Sequence, residues 1–558
     1  MIDLELPMGK RTRTYRFFEM LPALLSYGML ILLVVLSFFS PLLAAIYLLF
    51  VIITVLVKAV GIATHTIQGR SRLDRAQKID WRARLAQLET PVSSYESIQN
   101  QQSDEFGFEA HKENLRLVSA ANDPYIFPRP SSLYNAVIIA AYNESYEVIE
   151  PTIQSVADTS YDNSHLIVVL AYEERGGKDM AATAKALKAK FGRTFKAFHI
   201  VKHPGDLPHE VVGKGGNITY AGRFLETWLD KENIAHKDVI VTTLDSDNRP
   251  HATYFDYLTY EYVVHEDRKH LSYQPVALFL NNIWDAPAPM RVVATGNSFW
   301  NIISSMRPHT LRNFASHSQP MDALVEMDFW STRSIVEDGH QYWRSYFYFG
   351  GNYFVTPIYV PIYQDAVLSD TYVKTLRAQF KQLRRWAYGA SDVPYVATRV
   401  FTRKRNVSFM GGFGRFARLL DGHVTLASMS ILVAVGGWVP LLVNSRAAQD
   451  IAAHQLPQVI SGIQQVAMLG LIITVFLSFK MLPPRPERYK RHRTIGMVLQ
   501  WFLMPVTAIA YSASAAFNAQ THLLLGKYLD TFDVTEKATH QSVARAREAK
   551  AARASSKK

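Results

Sequence analysis

The chain has 558 residues, a formal net charge of +12, 48% hydrophobic and 12% aromatic residues, and no cysteine. That length exceeds one ordinary hydrophobic core and that apolar content excludes extensive disorder, so a folded protein of several parts is expected. Zero cysteine excludes disulfides, thiolate catalysis and a Cys-ligated zinc site. Lys and Arg cluster beside apolar runs, which marks the positive charge as cytoplasmic membrane flanks and argues against nucleic acid as a partner.

Two apolar runs, 17–39 and 41–63, open the chain, each near the ~20 residues a helix needs to cross a bilayer. Ser40 and Pro41 make the turn between them. Both runs exceed the apolar stretch of a signal peptide, so a retained transmembrane hairpin is expected. Lys10, Arg11, Arg13 and Arg16 precede it, and Arg70, Arg72, Arg75, Lys78, Arg82 and Arg84 follow it. Both ends should therefore face the cytoplasm, which makes residues 1–16 a cytosolic N-terminus and puts the middle of the chain inside the cell.

Residues 64–130 are polar and weakly patterned and read as a cytosolic linker. From Tyr134 the character changes. NAVIIAAYNES (135–145), HLIVVLAYEE (165–174), KAFHIVKH (196–203) and DVIVTTLDSD (238–247) read as buried strands alternating with helical patterns. Such alternation predicts a domain over 131–392 built on a parallel sheet with helices on both faces and ligands at the C-terminal strand ends. In 393–420, Phe413, Phe416, Ala417 and Leu420 recur at helical spacing while Arg415 and Arg418 fall elsewhere, as on an amphipathic helix at a membrane surface. Three apolar stretches follow within 421–518: 421–443, 459–482 and 495–517. The basic loop 483–493 between the last two is a cytoplasmic mark. Pro505 and the basic tail 519–558 contest the last crossing, which is either a third span or a re-entrant segment.

Asp245-Ser246-Asp247 directly follows an apolar strand. Two carboxylates two residues apart in extended chain project to one side and can approach a hard divalent cation, Mg²⁺ or Mn²⁺, or the diphosphate it carries. Solvation of a loop would use the same letters. Glu337-Asp338 lies among aromatic residues, where a carboxylate can accept the proton of an attacking hydroxyl; capping of a helix start is the plainer role. In QLRRW (382–386), an arginine can hold a diphosphate and an indole face can stack on a sugar ring. A charged helix surface with one core tryptophan would look alike.

Taken together and in order, AAYNES (140–145), KGGNITYA (214–221), LDSD (244–247), VED (336–338) and QLRRW resemble the family-2 glycosyltransferases, most closely the membrane-integrated branch of cellulose and hyaluronan synthases. The resemblance spans about Tyr134 to Gly389, and the flanking apolar segments match that architecture. It implies a cytosolic α/β domain of the GT-A, Rossmann-like nucleotide-diphospho-sugar transferase class beside α-helical transmembrane segments, in a multi-pass protein of the plasma or inner membrane.

By position, the resemblance puts Tyr142, Asn143 and Glu144 beside the base and ribose and Lys214 on the diphosphate. Asp245 and Asp247 would bind the sugar nucleotide through the metal, and Asp338 would be the general base. Glu337, Gln382, Arg385 and Trp386 would line the acceptor and diphosphate region. Where the family commonly carries an Asp pair, this chain has Glu173 and Glu174, which keep the charge with a longer reach. The implied reaction moves a sugar with inversion from a nucleotide-diphosphate donor, a UDP-sugar, to a growing β-linked polysaccharide, with export through the protein's own helices. The alternatives are transfer of one sugar to a lipid carrier or glycolipid, or a silent secretion subunit, against which the intact LDSD, VED and QLRRW stand.

Overall fold

The computed structural model describes residues 4–445 and 451–529, without the side chains of 452–454, 464 and 466–474. The chain divides into two compact units.

The first unit comprises residues 4–6, Gln68–Asn281 and Ser298–Asp365. Its centre is one sheet of eight strands: β1 (Tyr134–Ala141), β2 (Leu166–Glu173), β3 (Ala197–His203), β4 (Val239–Asp245), β5 (Arg249–Pro250), β6 (Leu271–Leu278), β7 (Ser318–Pro320) and β8 (Phe354–Tyr363). The order is β3-β2-β1-β4-β7-β6-β8-β5. Strands β3, β2, β1 and β4 are parallel, β7 runs antiparallel to both β4 and β6, β8 is parallel to β6, and β5 is antiparallel to β8.

The four expected strands are β1 to β4. Their unbroken apolar runs follow from burial on both faces, since successive side chains point to opposite sides. Val137, Ile139, Val168 and Leu170 enter one core with the helices Tyr146–Ala157 and Gly177–Phe191. Ala136, Ile138, Ile167 and Val169 enter the other with Ile218, Leu225 and Leu229 of the helix Lys214–Lys231. The sheet is mixed rather than wholly parallel. The strands β6 to β8 escape a pattern reading because Pro275, Pro357 and Pro361 interrupt β6 and β8 and β7 has only three residues.

Residues 64–130 are not a linker. The helix beginning at Pro41 continues to Ala76, and the helices Trp81–Gln87, Pro91–Ile98 and Phe108–Ala121 follow. Trp81, Leu85, Leu115 and Val118 are buried in the core of the first unit. Trp81 stacks on Tyr257 with ring centroids 3.6 Å apart. His111 lies between the Tyr260 hydroxyl (3.0 Å) and Gln87 Oε1 (2.6 Å). Short helices that each bury one or two apolar residues among many charges leave only a weak hydrophobic pattern.

The second unit comprises Pro7–Ile67, Asn282–Asn297 and the chain from Ala366 onward. Among the described residues, four helices are long and apolar enough to cross a bilayer: Arg13–Phe39, Pro41–Ala76, Phe409–Val443 and His492–Leu525. The apolar runs read at 17–39 and 41–63 fall within the first two, and Ser40 ends the first helix through a bond from its N–H to Leu36 O. A further helix runs over Ile451–Met481.

One expectation changes here. The stretch 393–420 does not form separate surface helices. Asp392–Val400 is packed along most of its length, and the residues from Phe409 form the opening turns of a helix that runs unbroken to Val435. Phe416 is buried and Phe413 exposed on it. The alternatives for the last stretch are a third span and a re-entrant segment; Pro505 does not end its helix. It follows the 3-10 turn Gln500–Leu503 and opens a short α segment, where a missing N–H costs little, and helix resumes through the π turn Ala508–Ala513 to Leu525. The tail from 530 lies outside the described residues.

Candidate functional site

The registers of the parallel strands set Ala140 opposite Asp245, Ala141 opposite Tyr172 and Glu173 opposite His203. The loops leaving β1, β2, β3 and β4 therefore open along one edge of the sheet. The expected donor-binding residues in the first unit lie on this edge or on the helix starts beside it.

In the first loop, Glu144 turns back on its own backbone, its Oε2 accepting the Tyr142 N–H at 2.7 Å, while Asn143 is exposed. The second loop locks onto the first. A Cβ on Gly176 would lie 1.8 Å from Tyr142 O, so no side chain fits there, and the Arg175 guanidinium sits 5.7 Å from the Tyr142 ring centroid. Glu173 is buried and ion-paired with Arg175. Glu174 points outward and takes Lys202 Nζ at 2.6 Å and Gly205 N at 3.3 Å, which hold its carboxyl below the ordinary range. Neighbours in sequence thus face opposite ways and do different work.

The segment KGGN opens the helix Lys214–Lys231, and each letter has a separate reason. A Cβ on Gly215 would come within 2.3 Å of Ser331 O, and one on Gly216 within 2.6 Å of Glu210 Oε2. Asn217 is buried, and its Nδ2 donates to Ala171 O at 3.0 Å and Ala141 O at 3.3 Å, clasping the ends of β2 and β1. Lys214, 8% exposed, carries its ammonium to the sheet edge. Nζ lies 2.9 Å from Asp245 Oδ1, 3.2 Å from Asp338 Oδ1 and 3.7 Å from Glu337 Oε1. Burial alone pulls the pKa of Lys214 down, but the charges of Asp245, Asp338 and Glu337 outweigh it and hold the group above its usual 10.5.

Asp247 is buried in the turn after β4, its Oδ2 accepting Asp365 N–H at 3.1 Å and its carbonyl accepting Asn281 Nδ2 at 3.0 Å. Among the described residues no three or more His, Cys, Asp or Glu side chains form a ready-made metal cage. Asp245 and Asp247 fit a cation of the Mg²⁺ kind, which takes one or two carboxylates and completes its shell with water and ligand phosphate oxygens. The Lys214 ammonium already marks Asp245 as a place where positive charge is stabilised.

Glu337 and Asp338 occupy the first turn of the helix Glu337–Tyr348, where the macrodipole favours them. The plainer role, acidic residues in a helix's first turn, is thus met, and the same turn faces Lys214. One neighbour had no sequence signal at all. His317 is fully buried; its Nε2 accepts Trp330 Nε1–H at 3.0 Å, and its Nδ1 lies 2.9 Å from Phe314 O and 3.8 Å from Asp338 Oδ1. Those partners assign the proton to Nδ1, and burial holds the pKa below its ordinary value, so the ring is neutral.

Gln382, Arg385 and Trp386 lie in the second unit, on the helix Tyr372–Ala387. Gln382 Oε1 accepts Gln379 Nε2 at 3.1 Å, and Trp386 is 39% exposed. Three groups stand out among the candidate residues: Lys214 with Asp245, Glu337 and Asp338; Tyr142 and Glu173 joined through Arg175; and QLRRW on its own helix.

No protein-family model and no curated protein matches the chain. Among solved structures it is similar to the mannosyltransferase PcManGT from Pyrobaculum calidifontis in complex with GDP-Man and Mn²⁺, with 15% identity, 84% of this chain and 100% of that chain covered, and a TM-score of 0.38. It is also similar to S. aureus TarS 1–349 in complex with UDP-GlcNAc, at 12% identity, 71% and 93% coverage and a TM-score of 0.35. For glucosyl-3-phosphoglycerate synthase from Mycobacterium tuberculosis in complex with Mn²⁺, UDP and phosphoglyceric acid, the figures are 15%, 48%, 78% and 0.27.

Proposed function

We propose that the chain is a membrane-embedded inverting glycosyltransferase that moves a sugar from a nucleotide-diphosphate donor, a UDP-sugar, onto a growing β-linked polysaccharide. The observation that carries this reading is the Lys214 ammonium, which gathers the carboxylate at the end of β4 and both carboxylates of the Glu337 turn. A buried cation at a parallel strand edge beside a candidate base suits transfer from a diphosphate.

In this reading Tyr142, Asn143 and the loop shaped by Glu144 and Glu173 receive the base and ribose. Lys214 turns from its carboxylates to the diphosphate. Asp245 and Asp247 would hold Mg²⁺ or Mn²⁺, which would supply positive charge to the leaving diphosphate. Asp338 accepts the proton of the acceptor hydroxyl as its oxygen attacks the anomeric carbon. The new C–O bond forms as the bond to the diphosphate breaks, the nucleoside diphosphate leaves with the electron pair, and in-line attack turns an α-linked donor into a β-glycoside. The resemblance alone assigns acceptor and diphosphate contacts to Gln382, Arg385 and Trp386. The apolar helices with their basic flanks span the bilayer and keep the first unit cytosolic.

The test uses full-length protein in detergent with Mg²⁺ or Mn²⁺ and a panel of nucleotide sugars. Release of nucleoside diphosphate from one donor is expected, and Asp338→Asn should lower it by about 10²- to 10⁴-fold. No turnover of any donor would sink the reading in favour of a silent subunit. A single-sugar lipid product would replace the polymer assignment with transfer to a lipid carrier.

A further inference from the structure

We infer that residues 4–6 form a strap that positions the helix bearing Asp338, with Glu5 and Arg344 as its positioning residues. Arg344 lies six residues beyond Asp338 on that helix and is 1% exposed. Its Nη2 donates to Met327 O at 2.8 Å and Phe329 O at 3.3 Å, its Nη1 donates to Leu4 O at 3.4 Å, and its carboxylate partner is Glu5. The other oxygen of Glu5 accepts the Ser331 hydroxyl at 2.8 Å, and Arg333 Nη1 donates to Leu6 O at 3.2 Å. Leu4 and Leu6 are buried, Leu4 against Ala323 and Met327.

The strap and Arg344 thus grip the segment 327–333 from two sides, and that segment touches both halves of the ammonium cluster. Ser331 O abuts Gly215, next to Lys214, and Trp330 Nε1 holds His317, whose Nδ1 stands 3.8 Å from Asp338. Thr219 Oγ1 and Val211 N donate to Trp330 O and Thr332 O at 2.9 and 2.8 Å. More than 300 residues separate Glu5 from Ser331 and Arg344, so the strap adds a clamp from outside the sheet. Removing its carboxylate strands a buried guanidinium, which must move or draw in water. The helix start carrying Asp338 moves with it, and displacement of a reacting group by about 1 Å costs on the order of 10²-fold in rate.

The rate arm of the test rests on the transferase reading; the exchange arm does not. Glu5→Gln, Arg344→Met and the double variant are made in the full chain in detergent. Glu5→Gln should lower kcat by about tenfold or more with donor KM within about twofold. Arg344→Met should cost less in the Glu5→Gln background than in the wild type, because the stranded charge is gone. Amide exchange over 327–343 should be faster in Glu5→Gln and slower again in the double variant, while β1 and β2 keep their protection. Wild-type kcat in Glu5→Gln, additive effects of the two substitutions, or unchanged exchange over 327–343 would overturn the inference. If the wild type turns over no nucleotide sugar, the transferase reading fails and the exchange comparison alone decides the strap.

Discussion

Lys214→Met keeps the length and apolar stem of the side chain and deletes one charge. Lys214 is 8% exposed and lies within 4 Å of the carboxylates of Asp245, Glu337 and Asp338. With all three ionised, the cluster passes from a net −2 to −3. Removing one partner from a buried ion pair typically costs about 3–5 kcal/mol, softened here by whatever proton the carboxylates take up. Loss of one donor aimed at a leaving oxyanion lowers kcat by about 10²- to 10³-fold, or ~2.7–4 kcal/mol.

The assay is nucleoside diphosphate release under saturating donor, beside thermal unfolding of the same preparation. The sign of the pKa shift adds a constraint. Because the folded value stands above 10.5, the stabilisation by Lys214 is fully present below 10.5 and is lost only above it. The loss in Lys214→Met should therefore be uniform between about pH 7 and 9, and Lys214→Arg should recover part of the rate. A variant that unfolds earlier yet keeps kcat within about threefold would refute the diphosphate role and leave Lys214 as a counter-charge for three carboxylates.

Gly176→Ala forces a Cβ to within 1.8 Å of Tyr142 O unless the loops part. Overpacking of this kind costs about 1–3 kcal/mol, so UDP titration should show about tenfold weaker binding; unchanged affinity would remove the first loop from the donor site. His111 has its pKa pushed down to about 4 by burial and then by Arg84. The unfolded chain takes up a proton below about pH 6.5 and the folded one does not, so about 3 kcal/mol of stability should be lost as pH falls from 6.5 toward 4. Hydrogen exchange in the helix Phe108–Ala121 should speed up over that window and stay flat in His111→Gln.

The strands β1 to β4 were legible because a strand buried on both faces must be apolar throughout, as Val137 to Ile139 and Ile167 to Leu170 are. The strands β6 and β8 were not, since proline removes ladder donors and breaks the pattern. Trp81 and Leu115 anchor a folded segment whose charged neighbours made it look like a linker. At the candidate site, LDSD and VED could be read as local chemistry, but their meeting on one ammonium is set by strand order and by the entry of the Lys214 helix. Glu173 and Glu174 are equivalent as letters; the pleat and the Arg175 turn assign one inward and the other to Lys202. His317 and Glu5 act across long separations with partners of ordinary composition, and no spacing rule marks them.

The amide of Asn217 has one further consequence. Since it clasps the ends of β1 and β2 while Gly176 nests against Tyr142 O, the ground from 140 to 217 is a single fitted piece. A chimera with a crossover inside it would mate a loop from one parent with a clasp from another and leave a buried amide or carbonyl stranded. Laboratory recombination across this domain should therefore exchange that piece whole, and natural drift should carry its loops and clasp together as one heritable cassette.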